Sequence, residues 1–189
     1  MAEPRRPAQP PPPPQPPQLF LAVLGGRAPG CSIELHDVRF VAAATIEAAI
    51  PELRRQWFGR RQGLHLDAWM AVRAVDGWAV SLAREPGAPR PERLWFVNLG
   101  AYRPDSLAEL HHFGLVVARS PQAAKAAARR QWLRGALQQH KDDLAAVDDC
   151  LALEQLELLG GGRWHVRLEP HPEAFSQPQV PDWFGYRPI

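Results

Sequence analysis

Two short stretches of the chain carry the residue types that bind metals and move protons. Glu34, His36 and Asp37 stand together, and Glu109, His111 and His112 repeat the pattern 75 residues later. Imidazole beside carboxylate is the donor set of zinc, iron or manganese sites, and the same groups exchange protons near neutral pH. On an extended segment, residues two apart point the same way, so Glu34 and His36 can reach one ion, as can Glu109 and His111. The spacing matches no established metal motif. The same side chains serve equally well as hydrogen-bond partners for loop backbone. His65, Asp67, Asp148 and Asp149 stand at the starts of the strands that come next.

A second cluster sits where two helices should end. Arg54, Arg55, Trp57, Arg60 and Arg61 return as Arg129, Arg130, Trp132 and Arg134. Phosphate contacts combined with stacking on tryptophan are a common way to hold single-stranded nucleic acid. Yet helix-terminal arginines also oppose the negative end of the helix dipole, and a tryptophan that continues an apolar stripe belongs to a core. Asp142, Asp143, Asp148 and Asp149 follow the second cluster, and the net charge is only +2, so useful nucleic-acid affinity is not expected. The chain has no Ser-His-Asp order, phosphate-cradling loop or dinucleotide fingerprint. Gly25-Gly26 lacks the further glycines and the helix that such a fingerprint needs.

What must position these residues is a duplicated unit. Sliding the chain along itself by 75 residues aligns Leu19 to Trp57 with Leu94 to Trp132 without a gap, and 15 of those 39 positions are identical. Chance gives about three. The offset grows to 81 at Asp67 and Asp148 and to 86 at Trp78 and Trp164, as insertions in loops would produce. Each copy opens on a buried strand, Leu19 to Leu24 or Leu94 to Leu99, ended by glycine. After a loop comes a second strand, Val38 to Ala43 or Phe113 to Ala118, and then a helix capped by Thr45 or by Ser120 before Pro121. Pro51 falls inside the first helix, which should therefore kink or start late. Asp76-Gly77 makes a two-residue hairpin turn between Met70 to Val75 and Trp78 to Leu82, with Trp69, Ala71, Val75, Trp78, Val80 and Leu82 expected on one core face. Cys150 to Leu156 and Arg163 to Leu168 repeat the hairpin around Gly160-Gly161-Gly162.

The expected fold is therefore α+β: two tandem ββαββ units, 19–85 and 93–169, sharing a core as one pseudo-twofold domain. Trp57 and Trp132 should then be equivalent and substantially buried. Residues 1–18 hold nine of the 21 prolines and read as a disordered or polyproline II tail. Residues 170–189 are also proline-rich but carry Phe175, Trp183, Phe184 and Tyr186, so they should pack on the domain. No apolar run reaches membrane-spanning length, proline fills the place of a signal peptide's apolar stretch, and Cys31 and Cys150 form no disulfide framework. A cytoplasmic protein is the expectation.

The strings Leu24-Gly25-Gly26, Pro29-Gly30, Glu34 to Val38, Leu64 to Trp69, Val75 to Gly77, Asn98-Leu99-Gly100, Tyr102-Arg103-Pro104 and Val147-Asp148-Asp149 carry a resemblance. Together they resemble a bacterial family known as domain of unknown function 1543, over nearly all of residues 19–168. The resemblance implies an architecture and no activity, cofactor or catalytic residue. Ala101 departs from the family's glycine, where the first copy has Gly26. If the glycine doublet admits a ligand to the backbone, the second copy has lost that access.

No metal, cofactor or partner can be named from these residues. They favour a small non-catalytic binding or interaction protein, with another protein as the kind of partner it would take, since nothing assembles a nucleophile, base and oxyanion site. A metal-dependent enzyme centred on Glu34/His36 and Glu109/His111 is the second reading, and nucleic-acid binding through the arginines the third.

Overall fold

The computed structural model describes residues 16–101, 105–132, 145–157, 162–171, 173 and 178–189. The prolines before residue 16, Gly160, Gly161, Arg134, Asp142, Asp143 and Phe175 lie outside them. The first copy forms β1 (Gln18–Gly26), β2 (Leu35–Ala43), α1 (Ile46–Gln56), β3 (His65–Ala71), β4 (Ala74–Val75) and β5 (Trp78–Ala83). The second forms β6 (Arg93–Ala101), β7 (Leu110–Ala118), α2 (Pro121–Trp132), β8 (Ala145–Ala152), β9 (Gln155–Glu157) and β10 (Arg163–Pro170), and β11 (Trp183–Pro188) ends the chain. Over the described residues the protein is α+β, mostly strand with two helices.

Each copy has one strand more than the expected ββαββ. The reason is a change of sheet at Val72 and Arg73. The Val72 N–H donates to the Leu19 carbonyl at 2.8 Å and closes the first sheet, after which Ala74 pairs with Ala79 in another. The expected single hairpin face is accordingly divided. Trp69 and Ala71 lie in the core under α1, whereas Val75, Trp78, Val80 and Leu82 join the core between the sheets. The turn itself is as the dipeptide demands, with Asp76 at φ 49 and Gly77 at φ 80, the type I′ geometry. Asp76 does more than turn the chain. Its carboxylate accepts from the Val117 N–H at 2.9 Å and from Gln131 Nε2 at 3.1 Å, pinning the first copy's hairpin to the second copy.

Three sheets result, ordered β11-β3-β1-β2, β4-β5-β10-β9 and β7-β6-β8. The middle one draws hairpins from both copies, joined where β5 pairs antiparallel with β10. In that pair Ser81 faces Arg167, its own equivalent at the offset of 86, and the flanking pairs Val80↔Leu168 and Leu82↔Val166 are reciprocal. One core lies between the first sheet and α1, another between the third sheet and α2. A third, from Leu19, Leu21, Phe40 and Met70 to Leu94, Phe96, Leu115 and Val117, fills the space between the two copies. No helix among the described residues is long and apolar enough to cross a membrane.

The helix α1 holds β2 in place. Thr45 caps it by accepting from the Ala48 N–H at 3.2 Å, and Ile46, Ala49 and Leu53 are buried on its inner stripe. It neither starts late nor ends at Pro51, because that proline is on the exposed side, where the carbonyl left without a donor can meet water. Its last turn is tied to β2 through Gln56, whose Nε2 donates to the Phe40 carbonyl at 3.3 Å and to Glu52 at 2.9 Å. Glu52 is buried, and the Arg55 hydrogen bonds, at 2.8 Å from Nε to Oε2, hold its carboxyl below the usual carboxylate range. A depressed carboxylate stabilises the fold above its unfolded pKa and loses that contribution as pH falls through the folded one. Glu52→Ala is expected to cost about 1–3 kcal/mol at neutral pH. In urea unfolding, the difference from wild type should shrink as the pH is lowered through the acid range.

Trp57 and Trp132 end the equivalent helices but are seated differently. Trp57 is buried, and its indole lies where a Cβ on Gly26 would come within 2.9 Å of it. Trp132 is half-buried and lies over Gly114, at 2.8 Å by the same measure. The sequence explains the difference. Alanine stands at 101 where Trp57's seat needs Gly26, and glycine stands at 114 where the first copy has Arg39.

Candidate metal centre

Strand β2 starts at Leu35, three residues earlier than the apolar pattern suggests, and so takes His36 out of the expected loop and into a sheet. Register then does the rest. His36 pairs with Gly25 on one side of β1, and His65 pairs with Gly25 on the other. A row that reads histidine, glycine, histidine leaves the middle strand bare, so both imidazoles can lean over it. Space there is fully used: a Cβ on Gly25 would lie 2.3 Å from His65 Nε2 and 2.8 Å from Asp67 Oδ2. Gly25 therefore clears room for side chains of the protein itself. Asp67 joins the group because Leu24 pairs with Leu66 and Val23 with Ala68, which leaves Asp67 as the extra residue of a β-bulge. A bulge re-aims a side chain that plain alternation would send to the other face.

The ring of His65 is 1% exposed. Its Nδ1 lies 2.8 Å from the Gly63 carbonyl, which can only accept, so Nδ1 carries a proton and the lone pair of the neutral ring is on Nε2. That Nε2 faces Asp67 Oδ1 at 3.2 Å and Glu34 Oε1 at 3.6 Å. The other oxygens of the same two carboxylates face His36, Asp67 Oδ2 at 3.3 Å and Glu34 Oε2 at 4.0 Å from its Nε2. Asp67 Oδ2 is buried and accepts no hydrogen bond among the described residues. Ligand atoms from Glu34, His36 and His65 all fall within 4.8 Å of one another. Tyr186 of β11 covers the buried side, its ring 4.2 Å from that of His65.

The other candidate residues are distributed otherwise. Asp37 points to the opposite business of pairing with Arg39 at 2.5 Å while accepting from the Val38 N–H. His112 packs its ring 5.1 Å from that of Trp132, away from any carboxylate cluster. Glu109 and His111 stay together at 3.8 Å, close to the spacing of Glu34 and His36. His65 and Asp67, which spacing alone leaves outside the candidate set, complete the cluster. Their signal in the sequence is the glycine that must sit opposite an imidazole.

The second copy reproduces the backbone of the site and not its full ligand set. Gly100 pairs with His111 and with Ala146, as Gly25 pairs with His36 and His65. Leu99 pairs with Val147 and Asn98 with Asp149, so Asp148 is a bulge residue in the place of Asp67. Alanine at 146 stands where the first copy has its buried histidine.

The family described as Domain of Unknown Function (DUF1543) matches residues 31–82 and 106–155, together just over half of the chain. The chain belongs to the DUF1543 family. Its two matched segments begin 75 residues apart, the offset of the internal repeat, and each contains one copy of the Glu-x-His pair and its bulged aspartate. The chain is also similar to a solved structure, protein Il1583 from Idiomarina loihiensis, at 40% identity. That likeness covers 91% of this chain and 97% of the other, with a TM-score of 0.67. No curated protein matches the chain.

In this DUF1543 chain His36 and His111, one from each Glu-x-His pair, line a single cavity. About 270 Å³ of space lies between the copies, lined by Val23, His36, Asp37 and Val38 on one side and Phe96, Asn98, His111 and Phe113 on the other. His36 belongs to both this cavity and the cluster. Its side chain is 54% exposed and that of Glu34 is 42% exposed, so the cluster is closed at His65 and open toward the cleft. Of the basic helix ends, Arg55 is committed to Glu52.

Proposed function

We propose that this protein binds a divalent transition-metal ion through Glu34, His36 and His65, with Asp67 beside both imidazoles and a fourth coordination position left open, and that zinc is the ion that fits best. The carrying observation is the convergence of two imidazole Nε2 atoms and two carboxylates above Gly25. Tetrahedral zinc with bonds of about 2.0–2.1 Å holds its ligand atoms about 3.3 Å apart. Ligand atoms, one each from Glu34, His36 and His65, lie within 4.8 Å of one another, so binding would draw the three inward by about an ångström. The carboxylates of Glu34 and Asp67 together balance the charge of a divalent ion. The Gly63 carbonyl on Nδ1 is the outer-shell support that metal-bound histidines ordinarily have.

The ion would sit at the mouth of the cleft between the copies, which supports reading the chain as a binding protein with a metal at its centre. The matched register of β5 and β10 supports a pseudo-twofold axis between Ser81 and Arg167. Two free cysteines suit a reducing cytoplasm.

Metal analysis of the purified, zinc-equilibrated protein after gel filtration tests the reading. One zinc per chain is expected in the wild type and none in His36→Ala, His65→Ala. Protein that stays metal-free, or a double variant that keeps its zinc, overturns it.

A further inference from the structure

We infer that the cleft cavity beside the ion takes a small acid with a single aromatic ring, its acidic head on the metal and its ring packed against the Phe96 and Phe113 pair. The inference rests on the metal reading above and adds a ligand class to it. Size is the first argument. At about 270 Å³ the cavity is just below the usual range of ligand sites, roughly 300 to 1,000 Å³, so it suits one ring and excludes a nucleotide. The walls are the second. Val23, Val38, Phe96 and Phe113 form the apolar part of the lining, and the Phe96 and Phe113 rings, themselves paired at 6.1 Å and 47°, present an aromatic surface on which a third ring can pack edge-on or offset. Phe96 is itself braced by Phe40 at 5.3 Å, so that wall is fixed.

The head group follows from the polar lining. His36, the exposed member of the cluster, lines the cavity, so the position that three protein ligands leave open on a bound ion can take an oxygen donor from it. Asp37 also lines the cavity, and Arg39 at 2.5 Å neutralises it, which removes the repulsion an acid would otherwise meet. Asn98 and His111 of the second copy, 3.4 Å apart, line it too and provide polar atoms toward a ring substituent. A purely aliphatic acid would leave the phenylalanine walls without a filler.

Two hydroxamates, both bidentate zinc binders, separate the metal from the cavity. Calorimetric titration of zinc-loaded protein should give benzohydroxamic acid an affinity about tenfold or more above that of acetohydroxamic acid. Phe113→Ala should keep its zinc and lose the preference. Phe113→Trp, which fills the cavity, should keep its zinc and exclude the aryl compound. Zinc-loaded protein that binds both hydroxamates equally overturns the aromatic-ligand inference and leaves the metal reading standing. A protein that holds no zinc overturns both. Preference for the aryl compound that survives Phe113→Ala and Phe113→Trp unchanged places the ring elsewhere and also defeats the inference.

Discussion

Gly25→Ala is expected to abolish metal binding and to destabilise the fold by roughly 1–3 kcal/mol, the usual cost of forcing one methyl group into packed space. The new Cβ would lie 2.3 Å from His65 Nε2, closer than any two such atoms can approach. A flexible side chain would swing aside, but His65 is held by its Nδ1 contact to Gly63 and by the Tyr186 ring over it. To move, the imidazole must give up that hydrogen bond and turn its lone pair away from the carboxylates. Gly26→Ala supplies the control on the neighbouring residue. Its Cβ meets the Trp57 indole at 2.9 Å on the other face of the sheet, so it should lower the urea midpoint and leave zinc in place. Zinc content that falls equally in both variants would mean that metal is lost through general unfolding and that Gly25 has no special relation to the ligands.

The contrast between those two glycines also marks what could be read from the residues and what could not. The duplication, the Glu-x-His pairs, the Thr45 cap and the Asp76-Gly77 turn are local patterns, and each has its physics within a few residues of chain. The glycine doublet was visible too, but its purpose was not. A sequence cannot say whether a missing Cβ makes way for a ligand or for the protein's own His65 and Trp57, because that depends on which strands flank β1. The same holds for Asp67. Alternation assigns a face to every strand residue, and a bulge, created by pairing with a strand some forty residues away, reverses the assignment without leaving a local trace. The change of sheet at Val72 and Arg73 was hidden for a like reason, since Met70 to Val75 is apolar throughout and either half can be buried. Trp132 was misjudged in degree, and Ala101 carried the warning.

Ala146→His is expected to create a second metal site and raise the zinc content from one to two per chain. Register makes the argument: Ala146 faces Gly100 as His65 faces Gly25, and His111 flanks Gly100 on the other side as His36 flanks Gly25. Glu109 and His111 already stand 3.8 Å apart, against 4.0 Å for Glu34 and His36, and Asp148 occupies the bulge position of Asp67. One imidazole is therefore the difference between the two ligand sets. In the native site the Gly63 carbonyl supports His65 on Nδ1, and outer-shell partners of that kind are worth about 10–100-fold in metal affinity. The decisive form of the experiment places the change in a His65→Ala background, where the native site is lost. Zinc binding regained there, and lost again on His111→Ala, would establish that the copies are equivalent ligand frames. A His65→Ala, Ala146→His protein that folds with wild-type circular dichroism and takes up no zinc would show that the duplication preserved the strands and not the geometry of the site.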